Sequence, residues 1–317
     1  NFARMVLLPA IGRCPNLHRA VLCSAGGVSA AHTGDKLEFD AVSTDERVVF
    51  ADPQIQVVFS LTRHDLHATH VIQAIRNRKS IFVEKPLCLN ELELAEIEQA
   101  LVEAGPDAPA VMVGFNRRFS PAALCVKQFY RSIRAPLTVS FRLNAGAIPV
   151  DDWTQHDDVG GGRIIGEACH GIDLATFLIG SPPVRVFAES VGGPLAPEVT
   201  DDQCFITLRH ANGSISNIAY LAGGDKAFPK ERLEVFGGGR VAVIDDFRSV
   251  TTCAGGQTKT TKWKQQDKGH TAEIQAFAKA LADGGPAPIS WEELRSVTLA
   301  SVLAVRSLRE GVPFEIS

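Results

Sequence analysis

Apolar positions in the first part of the chain come in two alternating textures. Residues 19–23, 55–61, 80–83 and 110–114 are short runs rich in Val, Ile and Phe. The run 55–61 is apolar almost throughout, the pattern of a parallel strand covered on both faces. Between these runs, residues 28–37, 67–77 and 91–103 place apolar side chains at helical spacing. Asn90 caps the last of these helices, and Glu91 and Glu93 sit in its first turn, where the helix dipole favours negative charge. Residues 2–11 also read as a helix, with Phe2, Val6, Leu7 and Ala10 apolar and Pro9 shortening or kinking it. Strand and helix in alternation, with short links, predict a doubly wound parallel sheet.

Past residue 117 the texture changes. Strands are predicted at 137–143, 184–191, 204–209, 214–220, 233–236, 241–244 and 249–253, joined by Gly, Asp and Asn turns. Ala211-Asn212-Gly213 is a tight-turn signal between two of them. Helices at 170–179 and 271–282 interrupt the run, which predicts an α+β unit: a mainly antiparallel, open sheet with helices on one face. An amphipathic helix at 291–309 follows, with Leu294, Val297, Ala300, Ala304 and Leu308 on its apolar side, and then a tail at 312–316. The expected organisation is a nucleotide-binding unit at 1–116, a substrate unit at 117–290, and a C-terminal helix and tail at 291–317 packing back on the first unit. No repeat or low-complexity linker separates them, so the ligand crevice is expected between the units, at the carboxyl ends of the parallel strands.

Composition narrows the function classes. Among 317 residues, 45% are hydrophobic and 21% charged, a balance that argues against disorder. Lys and Arg number 32 against 36 Asp and Glu, with no basic stripe, so nucleic acid is not an expected partner. Apolar runs such as 110–115 fall far short of the roughly 20 residues that cross a membrane. Seven scattered cysteines fit buried thiols in a reducing compartment, which places the chain in the cytoplasm. The chain opens on Asn1 rather than Met, which points to a start inside a larger polypeptide.

The chemistry-bearing residues cluster at strand ends. Glu84-Lys85-Pro86 closes the strand at 80–83, and the proline restricts Lys85 to a rigid turn. A lysine aimed into a partly desolvated cleft can donate to a substrate oxygen; a surface Glu–Lys pair reads equally well. In 159–173 a triple glycine leads to Glu167, His170 and Asp173, which share a face if the segment is a regular helix. A carboxylate beside an imidazole suits a proton shuttle. Cys169 faces another side and does not read as a nucleophile. Leu61 to His67 follows the most buried strand with polar residues at its mouth. His64, His67 and His70 do not complete a ligand set, and no metal is expected. The segment 23–27, Cys-Ser-Ala-Gly-Gly, carries neither an acid for a ribose 2′-hydroxyl nor an Arg for a 2′-phosphate, leaving NAD and NADP both open. A Gly-x-Gly turn is absent, with Asn1, Phe2 and Ala3 in the place of its last three positions.

In this order and spacing, residues 55–67, Glu84-Lys85-Pro86, 113–119 and the glycine-rich entry to His170-x-x-Asp173 resemble the glucose–fructose oxidoreductase / inositol dehydrogenase (Gfo/Idh/MocA) family over essentially the whole chain. Stretches 144–146, 162–173 and 225–246 are similar to a subgroup fused behind a zinc-type alcohol dehydrogenase domain. The resemblance implies a Rossmann domain, NAD or NADP, a sugar, cyclitol or sugar-nucleotide substrate, and a homo-oligomer formed through the second sheet. It matches Lys85 and His170 to the active-site lysine and histidine, with a cis bond before Pro86, and Glu167 is expected to orient His170 or to bind a neighbouring hydroxyl. The implied cofactor contacts are Asn1, Phe2, Ala3, Ser24, Leu61, Thr62, Arg63, His67, Glu84, Lys85, Asn116 and Arg117. The implied substrate contacts are Lys85, Arg117, Glu167, His170 and Asp173, with Asn144, Trp153, Arg163 and Lys230 behind them; for Lys230 a solvated charge reads better. Gly166 stands where many relatives have an Asp, a departure that leaves room for a catalytically inactive sugar- or nucleotide-sensing module of the same fold.

Overall fold

The computed structural model describes residues 2–317. The opening segment winds as a π-turn over Ala3–Leu7 and then a short helix α1 (Leu8–Ile11), the interruption falling where Pro9 offers no N–H to the helix ladder. Strand β1 (Val21–Cys23), helix α2 (Gly27–Lys36), strand β2 (Ala41–Ser43) and helix α3 (Arg47–Ala51) follow. Next come β3 (Val57–Ser60), α4 (His67–Arg76), β4 (Ser80–Val83), α5 (Glu91–Ala104) and β5 (Val111–Val113). All pairings here are parallel, in two blocks: β1 with β2, and β3-β4-β5. Asn90 Oδ1 accepts the Glu93 N–H at 2.9 Å, the cap predicted for α5. Strand β2 and helix α3 escaped the sequence reading because they are short and half-exposed, with little apolar period to read.

After α6 (Pro121–Tyr130) the chain builds a nine-stranded sheet from β6 (Thr138–Asn144), β7 (Pro183–Ser190), β8 (Gln203–His210), β9 (Ile215–Leu221), β10 (Glu231–Gly237), β11 (Arg240–Asp245), β12 (Ser249–Ala254), β13 (Gln257–Lys262) and β14 (Phe314–Glu315). The spatial order is β13-β12-β11-β10-β6-β9-β8-β7-β14, antiparallel except for β6 with β9. Alternation along β8 is strict: Cys204, Ile206, Leu208 and His210 are buried while Phe205, Thr207 and Arg209 face outward. Helix α7 (Cys169–Ile179) packs on the inner face and is buried on nearly every side. It lies close because Gly171 has no side chain; a β-carbon there would stand 2.6 Å from Phe141 Cδ1. That contact fixes the height of His170 above the sheet.

Helix α8 (His270–Ala282) returns to the first unit, packing against α1. Helix α9 (Trp291–Glu310), expected to pack back on the first unit, touches α5 and β5 but lies chiefly along β7, and the tail adds β14 to the edge of the second sheet. The two units are thus tied by both ends of the chain, and their seam holds the residues described next. Among the described residues, no helix is long and apolar enough to cross a membrane.

Candidate active site

Strand β4 delivers Glu84 and Lys85 to the seam, and the Lys85–Pro86 peptide is cis. Pro86 is held from behind by His67, whose Nδ1–H donates to the Pro86 carbonyl at 2.6 Å. Burial lowers the His67 pKa to about 4, so the ring is a neutral strut. It supports the Lys85 turn, and its Nε2 lies 3.4 Å from the Thr62 carbonyl. Lys85 Nζ crosses the seam and donates to the Gly166 carbonyl at 2.9 Å. Beside it, burial raises the Glu84 carboxyl, with the Lys85 charge opposing, and Glu84 Oε2 accepts the Lys85 backbone N–H at 3.2 Å.

Four residues beyond Gly166, His170 is buried against the edge of Phe115, ring centroids 6.2 Å apart. Burial, reinforced by the charges of Arg117 and Lys85, holds its pKa well below 6.5, so it is neutral near pH 7 and free to accept a proton. Its Nδ1 is enclosed with no hydrogen-bond partner among the described residues. The amine that follows β4 thus reaches the segment leading into α7, and its charge acts on the imidazole there. Burial pushes the neighbouring Cys169 thiol up to about 12, which keeps it protonated and unreactive.

Glu167 is a correction. Expected to orient His170, it instead accepts from Tyr220 Oη at 2.7 Å, from Lys230 Nζ at 2.8 Å and from Arg163. Residues Ile164–Ala168 wind as a π-turn, which breaks the regular step that was to align Glu167 with His170. Although burial would raise this carboxyl, Lys230 and Arg163 hold it well below the usual range, so it is an ionised hub. Lys230, read as a solvated charge, is a member of that hub with its side chain 41% exposed. Arg163 also donates to Tyr220 Oη at 2.9 Å.

Three further expected substrate contacts are engaged elsewhere. Asp173 is fully enclosed and accepts from Arg118 Nε at 3.1 Å and Nη2 at 2.5 Å. Asn144 gives its amide to the Asp225 and Phe228 carbonyls at 2.7 and 3.3 Å, pinning a loop. Arg117 forks onto Glu231 at 2.7 and 3.0 Å, and Lys268 joins the same carboxylate at 2.6 Å. Each is a buried charge or amide satisfied across a long sequence separation, which local spacing does not reveal. Trp153 does sit at the seam, edge-on to His64 (centroids 4.9 Å apart), with the Arg63 guanidinium 5.4 Å above its ring.

The expected cofactor contacts are gathered at the carboxyl ends of the parallel strands. Ser24 follows β1, Thr62 and Arg63 follow β3, Glu84 follows β4, and Asn116 follows β5 with its amide on the Lys268 carbonyl at 2.7 Å. Leu61 is half-buried in the core, Phe2 lies edge-on to His270 with centroids 5.3 Å apart, and Ala3 opens the π-turn. Asn1 lies outside the described residues. This edge of a doubly wound sheet is where dinucleotides lie. Its hydroxyl, amide and carboxyl groups, from Ser24, Thr62, Asn116 and Glu84, suit the ribose and carboxamide of a nicotinamide cofactor.

The three histidines near β3 point apart: His64 Nδ1 to the Gly160 carbonyl at 2.8 Å, His67 to Pro86, and His70 to Ser60 Oγ and Glu46 at 2.8 and 2.9 Å. Residues the sequence reading missed are Tyr220, one of two tyrosines, hidden in a strand, and Glu231, which lies just before the strand predicted at 233–236 and opens β10.

Comparison with known proteins identifies the fold and the family. Residues 1–115 match the family model described as an oxidoreductase family with an NAD-binding Rossmann fold, and 134–240 match that of the GFO/IDH/MocA C-terminal domain, together well over half of the chain. The chain is 25% identical over 322 residues to the uncharacterized oxidoreductase YrbE of Bacillus subtilis, covering 96% of this chain and 91% of that protein. It is 24% identical over 290 residues to the myo-inositol 2-dehydrogenase of Thermotoga maritima, covering 87% and 84%. The solved structure of levoglucosan dehydrogenase in complex with NADH and levoglucosan shares the fold, with a TM-score of 0.86 at 22% identity over 99% of this chain and 96% of that one.

Proposed function

Because the chain belongs to the Gfo/Idh/MocA family of oxidoreductases, we propose that it moves a hydride between NAD(P) and a secondary hydroxyl or carbonyl carbon of a sugar, cyclitol or sugar nucleotide. The observation that supports the reading is the bond from Lys85 Nζ to the Gly166 carbonyl, which brings a lysine of one unit to the segment that leads into His170 of the other. When bound, the nicotinamide ring supplies or accepts the hydride. Ser24, Thr62, Arg63, Glu84 and Asn116 hold the cofactor along the strand ends. His170 takes the hydroxyl proton at Nε2, the nitrogen opposite the enclosed Nδ1, and Lys85 donates to the same oxygen and stabilises charge that grows on it. Glu167 acts through the groups it gathers, keeping the half-exposed Lys230 at the rim for a remaining hydroxyl, with the buried Arg163 and Tyr220 fixing the carboxylate from behind.

Reduced-nicotinamide absorbance, followed with inositols, levoglucosan, uronates and sugar nucleotides, tests this directly. Turnover of at least one polyol is expected, and silence towards all of them with the cofactor bound sinks the reading. The alternative, a catalytically inactive sensing module, draws on Gly166, and the structure gives that glycine a packing reason of its own, described below. A homo-oligomer is part of the proposal: Phe205, Ile215 and Phe236 are 54%, 41% and 43% exposed on the open face of the second sheet. Light scattering should return a mass above that of one chain, and a strictly single-chain mass removes this element. The fused organisation and the cytoplasmic setting rest on the stretches quoted above and on the scattered thiols. The intact mass and cell fraction of the natural polypeptide check both.

A further inference from the structure

His64 stands in the seam for a reason that only the fold reveals. It follows β3, yet its ring is lodged against the glycine-rich entry of the other unit. A β-carbon at Gly166 would stand 3.1 Å from His64 Cε1, closer than carbon atoms normally pack, so the ring occupies the space a larger residue at 166 would fill. Gly166 therefore touches two groups of the first unit: its carbonyl takes Lys85 Nζ at 2.9 Å, and its α-carbon lies against His64. The imidazole and the Lys85 amine thus share Gly166 as a neighbour, and Trp153 meets the ring edge-on.

The ring's hydrogen bonding fixes its chemistry. Nδ1 faces the Gly160 carbonyl at 2.8 Å, and a carbonyl only accepts, so Nδ1 carries the proton. Burial, then the charge of Lys85, lowers the His64 pKa to about 3, which leaves the ring neutral. Nε2 is then a bare acceptor, and it makes no hydrogen bond with any described residue although the side chain is 6% exposed. It is not one of the fully enclosed polar atoms, so it stays open to a donor that a ligand brings. An ammonium substituent there would meet the Lys85 charge, so the fitting donor is a hydroxyl.

We propose that His64 is a substrate-contacting specificity residue: its Nε2 accepts a hydrogen bond from the hydroxyl on the carbon next to the one that Lys85 and His170 act upon, so the substrate is a vicinal diol. The assignment rests on the oxidoreductase reading above and narrows its substrate class.

The holoenzyme variants His64→Asn and His64→Gln separate this role from a structural one. An Asn amide can still donate to the Gly160 carbonyl but has nothing in the place of Nε2, whereas Gln reaches the Nε2 place and gives up the Gly160 bond. With the polyol that turns over best in the panel, His64→Asn should lower kcat/KM by about ten- to a hundredfold at an unchanged thermal midpoint. His64→Gln should retain most of it. Against the analogue lacking the adjacent hydroxyl, the wild type should lose the same factor and His64→Asn nothing further. A reversed ranking, with Asn harmless and Gln damaging, overturns the proposal, as does an equal loss on parent and deoxy substrates. Absence of turnover with any polyol, in a wild type that binds NADH, overturns the oxidoreductase reading and this assignment together, whereas turnover indifferent to position 64 overturns this assignment alone.

Discussion

Replacing Lys85 with Met in the holoenzyme should lower kcat by about 10²- to 10⁴-fold while NADH binds with nearly its original affinity. The same result is expected for His170→Asn. The reasoning is geometric. Among the described residues the Lys85 ammonium hydrogen-bonds to the Gly166 carbonyl, and the groups proposed to hold the cofactor at the strand ends are other residues. Met keeps the stem of the side chain and removes the donor. The double variant should cost little more than the worse single one, because the two side chains act on one oxygen and lose their joint effect at the first deletion. The pH profile adds an independent check. Burial and the charges of Arg117 and Lys85 keep His170 neutral well below pH 6.5, so oxidation should hold its rate as pH falls through 6.5, where a free histidine would already be protonated. Steady-state kinetics across pH 5–9 and a fluorescence titration with NADH provide both readouts. Either single variant retaining full turnover removes the assigned role.

What the sequence disclosed and what it withheld divide along a physical line. Strand β3 was legible because both of its faces are covered and its residues are apolar almost throughout. Helix α5 was legible because Asn90 and two early glutamates mark its start. Lys85 stood out because a proline next to a strand-ending charge is a local signal. Strand β13, the polar run Gln257–Lys262, was not legible: exposed along nearly its whole length, it is held by its ladder to β12 rather than by burial, and periodicity reports only burial. The pairing of Glu167 failed because the period itself fails where the backbone takes a π-turn. His64 was weighed only as a metal ligand, since its place depends on the missing β-carbon of Gly166, 102 residues further on in the chain. Arg117 with Glu231 is a partnership across 114 residues, which no local pattern encodes.

That last pair carries the second large effect. Glu231 is 1% exposed and pairs with both Arg117 and Lys268, joining the exit of the first unit to the start of β10. Burial alone would raise its carboxyl, but Arg117 and then Lys268 outweigh burial and hold the pKa down at about 2. Glu231→Gln keeps the shape and removes the charge, leaving a buried guanidinium unpaired. Breaking a buried pair in this way costs about 3–5 kcal/mol, read as a lower urea midpoint at pH 7. Because the folded-state pKa is depressed, the stabilisation is complete above the unfolded value of about 4.3 and fades as pH falls toward 2. The gap between wild type and variant should therefore be widest at neutral pH and narrow steadily below pH 4. A loss under about 1 kcal/mol, or a gap that does not change with pH, would mean that the carboxylate is not what holds Arg117 in the seam. Such a result would also loosen the charge environment that keeps His170 neutral, since Arg117 is, after burial, the strongest influence on that imidazole.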